Sequence, residues 1–298
     1  MKNILIIGCG LIGSSLLRVI HKKKLAKKIF IYEKSKSNIA KIKRLRLPGT
    51  IVKTLKEGAI NSDLIFFCTP MSEYKKIIPK INNFILPNTI ITDIGSSKTE
   101  SSKVIKKFLK KGLHWIPSHP IAGSEVSGPE HGKEKMFINR WCILVKDKNT
   151  KKNYLDILIK FWKKIGSKVI VMTSDKHDKI FSITSHLPHL IAYNLVKSAQ
   201  DFEKKQKFGL IKFSAGGLRD FSRIAASNEI MWRDIFFDNK NNISKAIDIF
   251  VKNLYEFKKD INSKNNKSIL KKLTQTKKVR SKIIQLKQDI DKPDFGRN

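Results

Sequence analysis

Residues 6–16 read IIGCGLIGSSL and leave the chain few ways to fold. Gly8, Gly10 and Gly13 stand in G-x-G-x-x-G spacing, after the apolar run NILII and ahead of a helix-length segment. Each glycine has a separate steric reason in that setting. Gly8 permits the tight turn, Gly10 lets the backbone approach a pyrophosphate at the helix N-terminus, and Gly13 lets helix and strand pack closely. Leu11 and Ile12, inside the motif, belong to the same expected cofactor-binding set. A dinucleotide site of this kind also needs an acid about 20 residues on, at the end of the second strand. Glu33 in IYEKSKS meets that requirement. Its carboxylate can accept hydrogen bonds from both ribose hydroxyls and repels a 2′-phosphate, which favours NAD over NADP; Lys34 and Lys36 beside it weaken the exclusion.

The segments that follow repeat the pattern. KIFIYE (28–33), DLIFFCTP (63–70) and TIITDIG (89–95) are apolar, strand-like and ended by Gly, Pro or an acid, and WCILVK (141–146) and KVIVMT (168–173) read alike. Helix-length stretches such as IGSSLLRVIHKKK and SKTESSKVIKKFLKK lie between the early ones. Continuous apolar strands separated by helices predict a parallel sheet covered on both faces, an α/β fold of the Rossmann-type, doubly wound, mainly parallel class. After residue 173 the pattern turns helical: SDKHDKIFSITSHLPHLIAYNLVKSAQ opens on a Ser/Asp cap signal, and ISKAIDIFVKNLYEFKKDI continues at helical spacing. Two domains are expected, residues 1–173 for the dinucleotide and 174–298 all-helical, with PDFGRN a frayed end.

The net charge of +36 requires an interpretation. Most of the basic residues are lysines, spread from KKKLAKK (22–28) through KKFLKK (106–111) to KKLTQTKK (271–278). They gather on no aromatic-studded face, so a solvated surface is favoured over a nucleic-acid partner. Cys9, Cys68 and Cys142 lie far apart among apolar neighbours and read as buried thiols in a reducing compartment. The N-terminal apolar run is too short for a signal sequence, and no run approaches a membrane span. A cytoplasmic protein without a membrane partner is expected.

Two more strand ends point at the crevice where ligands of open parallel sheets bind. At FCTP, Thr69 and Pro70 end a strand over the expected nicotinamide position. At DIGSSK, Ser96 either orients a substrate oxygen or caps a helix. SHPIAGSE (118–125) follows by one helix and brings His119 and Glu125 to the next strand end. His186 and His189 in SHLPHL stand three apart, but no further ligands are patterned around them, and a metal is not expected. GGLRDFSRIAASNEIMWRDIF (216–236) collects Arg219, Arg223 and Arg233 with Asp220, Glu229, Asp234 and Trp232. It reads either as a salt-bridged helix pair or as a clamp for carboxylates, which guanidinium forks bind bidentately.

Taken in order, GCGLIG, FCTP, DIGSSK, SHPIAGSE, SHLPH and GLRDFSRIAASNEIMWRDI resemble the prephenate/arogenate (cyclohexadienyl) dehydrogenase family of tyrosine biosynthesis over residues 1–250. The resemblance implies an active site between the two domains and a homodimer formed through the helical one. It implies NAD-dependent oxidative decarboxylation of a cyclohexadienol, giving 4-hydroxyphenylpyruvate from prephenate or tyrosine from arogenate. On the matching positions it makes His119 the catalytic base and Ser96 the residue that holds the substrate's ring hydroxyl. Arg223 would anchor a substrate carboxylate, His189 would be a second substrate-binding histidine, and Glu125 and Trp232 would lie near the pocket. Prephenate is the favoured substrate. No chorismate mutase segment precedes Gly8, and the C-terminal segment is too short for a separate regulatory domain.

Two other readings share parts of this pattern. A dehydrogenase of the β-hydroxyacid or imino-acid reductase type would carry the same fingerprint but needs a catalytic lysine in its helical domain, where SHLPH and DFSR stand instead. A basic nucleic-acid-binding protein on the same scaffold would show steeply salt-dependent binding.

Overall fold

The computed structural model describes residues 2–206 and 209–286; the expected frayed end PDFGRN lies outside them. Strand β1 (Asn3–Ile7) leads through the glycine turn into α1 (Leu11–Lys22). There follow β2 (Lys28–Tyr32), α2 (Lys36–Arg44), β3 (Thr50–Ile51), α3 (Leu55–Ala59) and β4 (Leu64–Phe67). Then come α4 (Tyr74–Ile81), β5 (Ile90–Asp93), α5 (Thr99–Phe108) and β6 (His114–Trp115). The six strands pair in parallel in the order β3-β2-β1-β4-β5-β6, the doubly wound arrangement, with the crevice outside the carboxyl ends of β1 and β4. Alternate residues of β1 feed different cores. Ile4 and Ile6 join Leu16, Leu17 and Trp162 on one face; Leu5 and Ile7 join Tyr74, Ile78 and Ile105 on the other. Both faces are covered, as the unbroken apolar runs require.

The last two strand-like runs form a second sheet rather than extending the first. β7 (Ser118–Pro120) pairs antiparallel with β8 (Trp141–Val145), which crosses over through α6 (Lys152–Lys164) to lie parallel with β9 (Lys168–Met172). SHP is thus itself a buried strand, with His119 opposite Ile143, and β6 intervenes between it and α5. Three residues with a proline among them carry no readable alternation, which is why the stretch reads as a strand end.

From Ser174 onward the described chain is helical: α7 (Ser174–Phe181), a π-helical turn (Ser182–His186), α8 (Leu187–Gln206), α9 (Gly216–Ile224), α10 (Glu229–Asp238), α11 (Lys240–Asn262) and α12 (Asn266–Gln285). The cap of α7 is Thr173, whose hydroxyl accepts from the Lys176 amide; the Ser/Asp signal stands just inside the helix. α10 fixes this part to the sheet: Trp232 and Ile235 enter the core that holds Tyr74 and Ile105, and Asp234 accepts the Ser72 amide at 2.9 Å. No helix among the described residues is long and apolar enough to cross a membrane.

Candidate active site

The glycine loop has the geometry its spacing predicts. Gly8 lies at φ +90°, and a Cβ there would stand 2.8 Å from the Cys68 carbonyl oxygen. At Gly13 a Cβ would stand 2.1 Å from the Gly8 carbonyl oxygen, so helix and turn touch backbone to backbone. A Cβ at Gly10 would meet nothing within 4 Å. That open space adjoins the first turn of α1, to which Leu11 and Ile12 belong and whose N-cap, Gly10, makes no side-chain hydrogen bond. It is room for a pyrophosphate at a helix N-terminus. Glu33 accepts the Cys9 amide and the Ser35 amide, each at 2.8 Å, which fixes its carboxylate at the edge of the loop. The Thr69 hydroxyl oxygen is buried without a partner, and its methyl faces Gly8, while Pro70 beside it is exposed. An open cradle and an orphaned hydroxyl fit a dinucleotide laid across the ends of β1 and β4.

His119 stands on β7, and the loop that follows reaches α1, where a Cβ at Gly123 would lie 3.8 Å from the Ile12 side chain. Its Nδ1 lies 2.8 Å from His177 Nε2, and His177 Nδ1 lies 2.8 Å from Asp178 Oδ1. The proton positions follow from the carboxylate. Asp178 can only accept, so His177 donates from Nδ1 and keeps a bare Nε2. His119 then donates from Nδ1, and its own Nε2 carries the free lone pair. His119 has its pKa well below the ordinary histidine value, chiefly through burial and then through His177, Lys98 and His186. Burial likewise lowers His177, against the pull of Asp178. His119 is therefore neutral at pH 7.

Asp178 also accepts the Lys98 and Thr99 amides, at 2.9 and 2.8 Å. It caps α5 from another helix. Ser96 is thus not the N-cap of α5, which begins one residue after Lys98; its half-buried hydroxyl is left free for another partner. Sequence reasoning missed His177, Asp178 and Lys98. SDKHDK read only as a cap signal, and a lysine attracts no attention in so basic a chain.

Glu125 and Arg223 face each other at 3.6 Å, so the end of SHPIAGSE meets the arginine helix α9. His189 stacks on Trp232, with ring centroids 3.9 Å apart, and its Nδ1 donates to the Ser185 carbonyl oxygen. His186 meets Trp232 edge to face, 6.2 Å between centroids, and accepts from Asn239. Arg233 pairs with the neighbouring Asp234, as a salt-bridged reading of that segment expects. The structure thus groups His119 with His177 and Asp178, His189 with Trp232, and Arg223 with Glu125. Cys9 and Cys142 are buried and Cys68 half-buried; burial pushes the Cys9 thiol up to about 12, and the other two thiols also upward.

The buried histidines predict acid lability. A histidine whose folded pKa lies below its unfolded value of about 6.5 loses stability as pH falls through that value, because the unfolded chain binds the extra proton. His186, held at about 4 mainly by burial, alone costs on the order of 2 kcal/mol at pH 5, and His119 and His177 add in the same direction. Asp238, raised to about 6 by burial, works the other way and offsets part of this. A clear fall in Tm between pH 7 and pH 5 is expected in calorimetry, and a flat profile would contradict the neutral assignment.

A doubly wound sheet, an open glycine cradle and a buried neutral histidine on a strand whose following loop reaches that cradle are the features of an NAD-dependent dehydrogenase. Comparison with known proteins narrows the class. Residues 16–171 match the family model described as prephenate dehydrogenase, nucleotide-binding domain, and residues 173–275 match prephenate dehydrogenase, dimerization domain. The chain belongs to the prephenate dehydrogenase family. It is 30% identical over 290 residues to the cyclohexadienyl dehydrogenase of Zymomonas mobilis, covering 97% of this chain and 98% of that one. To the prephenate dehydrogenase of Bacillus subtilis it is 30% identical, covering 85% of this chain and 69% of the other. Its fold matches the crystal structure of prephenate dehydrogenase from Aquifex aeolicus in complex with hydroxyphenyl propionate and NAD+ with a TM-score of 0.88. That match has 30% identity and covers 95% of this chain and 98% of the other.

Proposed function

We propose that this chain oxidatively decarboxylates prephenate, with arogenate as a second substrate, and that His119 is the base. The observation that carries this reading is the Asp178–His177–His119 chain, which leaves His119 Nε2 unprotonated on a strand whose following loop reaches the glycine cradle. Bound NAD supplies the hydride acceptor for the ring carbon that bears the hydroxyl. His119 Nε2 takes the hydroxyl proton, and Asp178 stabilises the resulting charge through His177. Ser96 holds the same hydroxyl in line. Loss of the ring carboxylate as CO2 is then drawn forward by aromatisation. Glu33, Thr69 and Pro70 border the cofactor. Arg223 anchors a substrate carboxylate, with Glu125 keeping the guanidinium in place until substrate arrives. His189 and Trp232 form the wall against the substrate's side chain.

The enzyme works as a homodimer in the cytoplasm, without a nucleic-acid or membrane partner. Support for the dimer comes from the helical part, where Leu254, Tyr255 and Ile261 on α11 and Leu270, Leu273 and Val279 on α12 are exposed. A fold of this size otherwise buries such a set. The large positive charge would gather a dianionic substrate and an anionic cofactor.

Purified protein should reduce NAD on addition of prephenate and release CO2 in equal amount; no reduction with either prephenate or arogenate would refute the assignment. Arg223→Ala should raise KM for prephenate about tenfold or more with kcat changed less than threefold, as loss of a charge-assisted carboxylate contact implies. An unchanged KM would remove Arg223 from that role.

A further inference from the structure

We propose that Lys98, paired with Asp93, is a positioning residue for the reaction, setting the place of His119 by gripping both backbone polar groups of Ser118, its neighbour. This rests on His119 being the base. Lys98 and Asp93 are fully buried, and every donor of the ammonium is used: Asp93 Oδ1 and Oδ2 at 2.9 and 2.8 Å, and the Ser118 carbonyl oxygen at 2.7 Å. Asp93 Oδ1 accepts the Ser118 amide at 3.2 Å, and Oδ2 accepts the Tyr74 hydroxyl and the Gly95 amide. Ser118 is thus held from both sides, its N–H by the carboxylate and its C=O by the ammonium.

The location explains why such a pair is retained. Asp93 ends β5 of the large sheet and Ser118 begins β7 of the small one, and the two sheets share no strand ladder. A buried ion pair is a poor stabiliser compared with apolar residues of the same volume, but it is demanding about geometry. Here it ties one sheet to the other at the residue before the base. The backbone at the same position holds the other end, since the amide of residue 98 donates to Asp178, the group that orients His177. Ammonium and amide thus reach the two ends of one short chain: Ser118 beneath His119, and Asp178 behind His177.

The charge of Lys98 has a chemical effect as well. The groups facing His119 are His177 from α7, Lys98 from the β5–α5 loop, His186 from the π-helical turn and the Phe181 ring. The Cys142 thiol on β8 is close but pushed upward and neutral, and Asp178 and Asp93 act behind His177 and Lys98. Lys98, kept an ammonium by Asp93 against the pull of burial, is the cation of this set, and it opposes protonation of His119.

The test is the double substitution Lys98→Met with Asp93→Asn, which removes both charges and leaves neither partner ionised and alone. With NAD affinity within about threefold of the parent, kcat should fall at least about tenfold and KM for prephenate should change less than threefold. The acid limb of kcat/KM should move upward in pH, which a loss of stability alone would not do. Nitrogen chemical shifts of labelled histidine supply a readout without turnover. His119 should show Nδ1–H and bare Nε2 in the parent and a mixture of tautomers in the variant. Tyr74→Phe, which takes one hydrogen bond from Asp93 and spares the pair, should lower kcat about 2–5-fold and decides the matter should the double variant not fold. Parental kcat, acid limb and tautomer in the folded double variant, or parental kcat in Tyr74→Phe when the double variant does not fold, overturns the proposal. A parent enzyme that shows the His119 tautomer but turns over neither prephenate nor arogenate would instead refute the reaction assignment.

Discussion

Replacing His119 with asparagine should lower kcat about a thousandfold, within the range that loss of a positioned general base produces. Asparagine can still donate one hydrogen bond to His177 Nε2, so the Asp178–His177 pair keeps a partner and the fold is little disturbed. What disappears is the basic nitrogen. NAD affinity should stay within about twofold, since the cradle is built from Gly8, Gly10, Gly13 and Glu33 rather than from β7. Stopped-flow reduction of NAD together with calorimetric titration separates these two quantities. A variant that binds NAD weakly but turns over at the parental rate would take His119 out of the chemistry. In the parent, the acid limb of kcat/KM should lie below pH 6.5, because burial, with the Lys98 ammonium nearby, holds the imidazole neutral.

Gly13→Ala should weaken NAD binding by at least about tenfold, or roughly 1.4 kcal/mol. The added methyl would stand 2.1 Å from the Gly8 carbonyl oxygen, closer than any contact between nonbonded atoms. Backbone must move, and what moves is the turn that receives the pyrophosphate. Gly216→Ala is the control, since a Cβ there meets nothing within 4 Å. Calorimetric titration of both variants with NAD checks the contrast. Equal affinities would mean that the cofactor does not use this loop.

These two residues also mark the limits of what can be read from the chain. Gly13 was legible because its reason is local: three glycines, a strand before and a helix after decide the turn among themselves. Glu33 was legible for a similar cause, since one β-α-β unit fixes its distance from the loop. His119 could be placed near the crevice by order along the chain, but its partner could not. His177 lies 58 residues away, and its orientation comes from a carboxylate that also caps a helix 79 residues upstream. No periodicity connects such positions. Lys98 was hidden by composition, because in a chain with 61 basic residues one more lysine after a strand looks like surface. β3 and β6, two residues each, are set by pairing with a neighbouring strand and carry no pattern of their own.

The π-helical turn at Ser182–His186 has a consequence for how the second half of the molecule is phased. An α-helix advances about 100° per residue, and a π turn takes up one residue more than the α-helical path needs. α7 and α8 therefore run as one rod with a single step of offset between them. On the near side of the step His177 and Asp178 meet the β5–α5 loop; on the far side His189 lies flat on Trp232. A chain one codon shorter within this turn would wind as uninterrupted α-helix and rotate one side against the other by about that angle. Either the contacts of His177 and Asp178 with the β5–α5 loop or the stacking of His189 on Trp232 would then be lost. The surplus residue thus sets the phase between His177 and Asp178 on one side of the turn and His189 on the other.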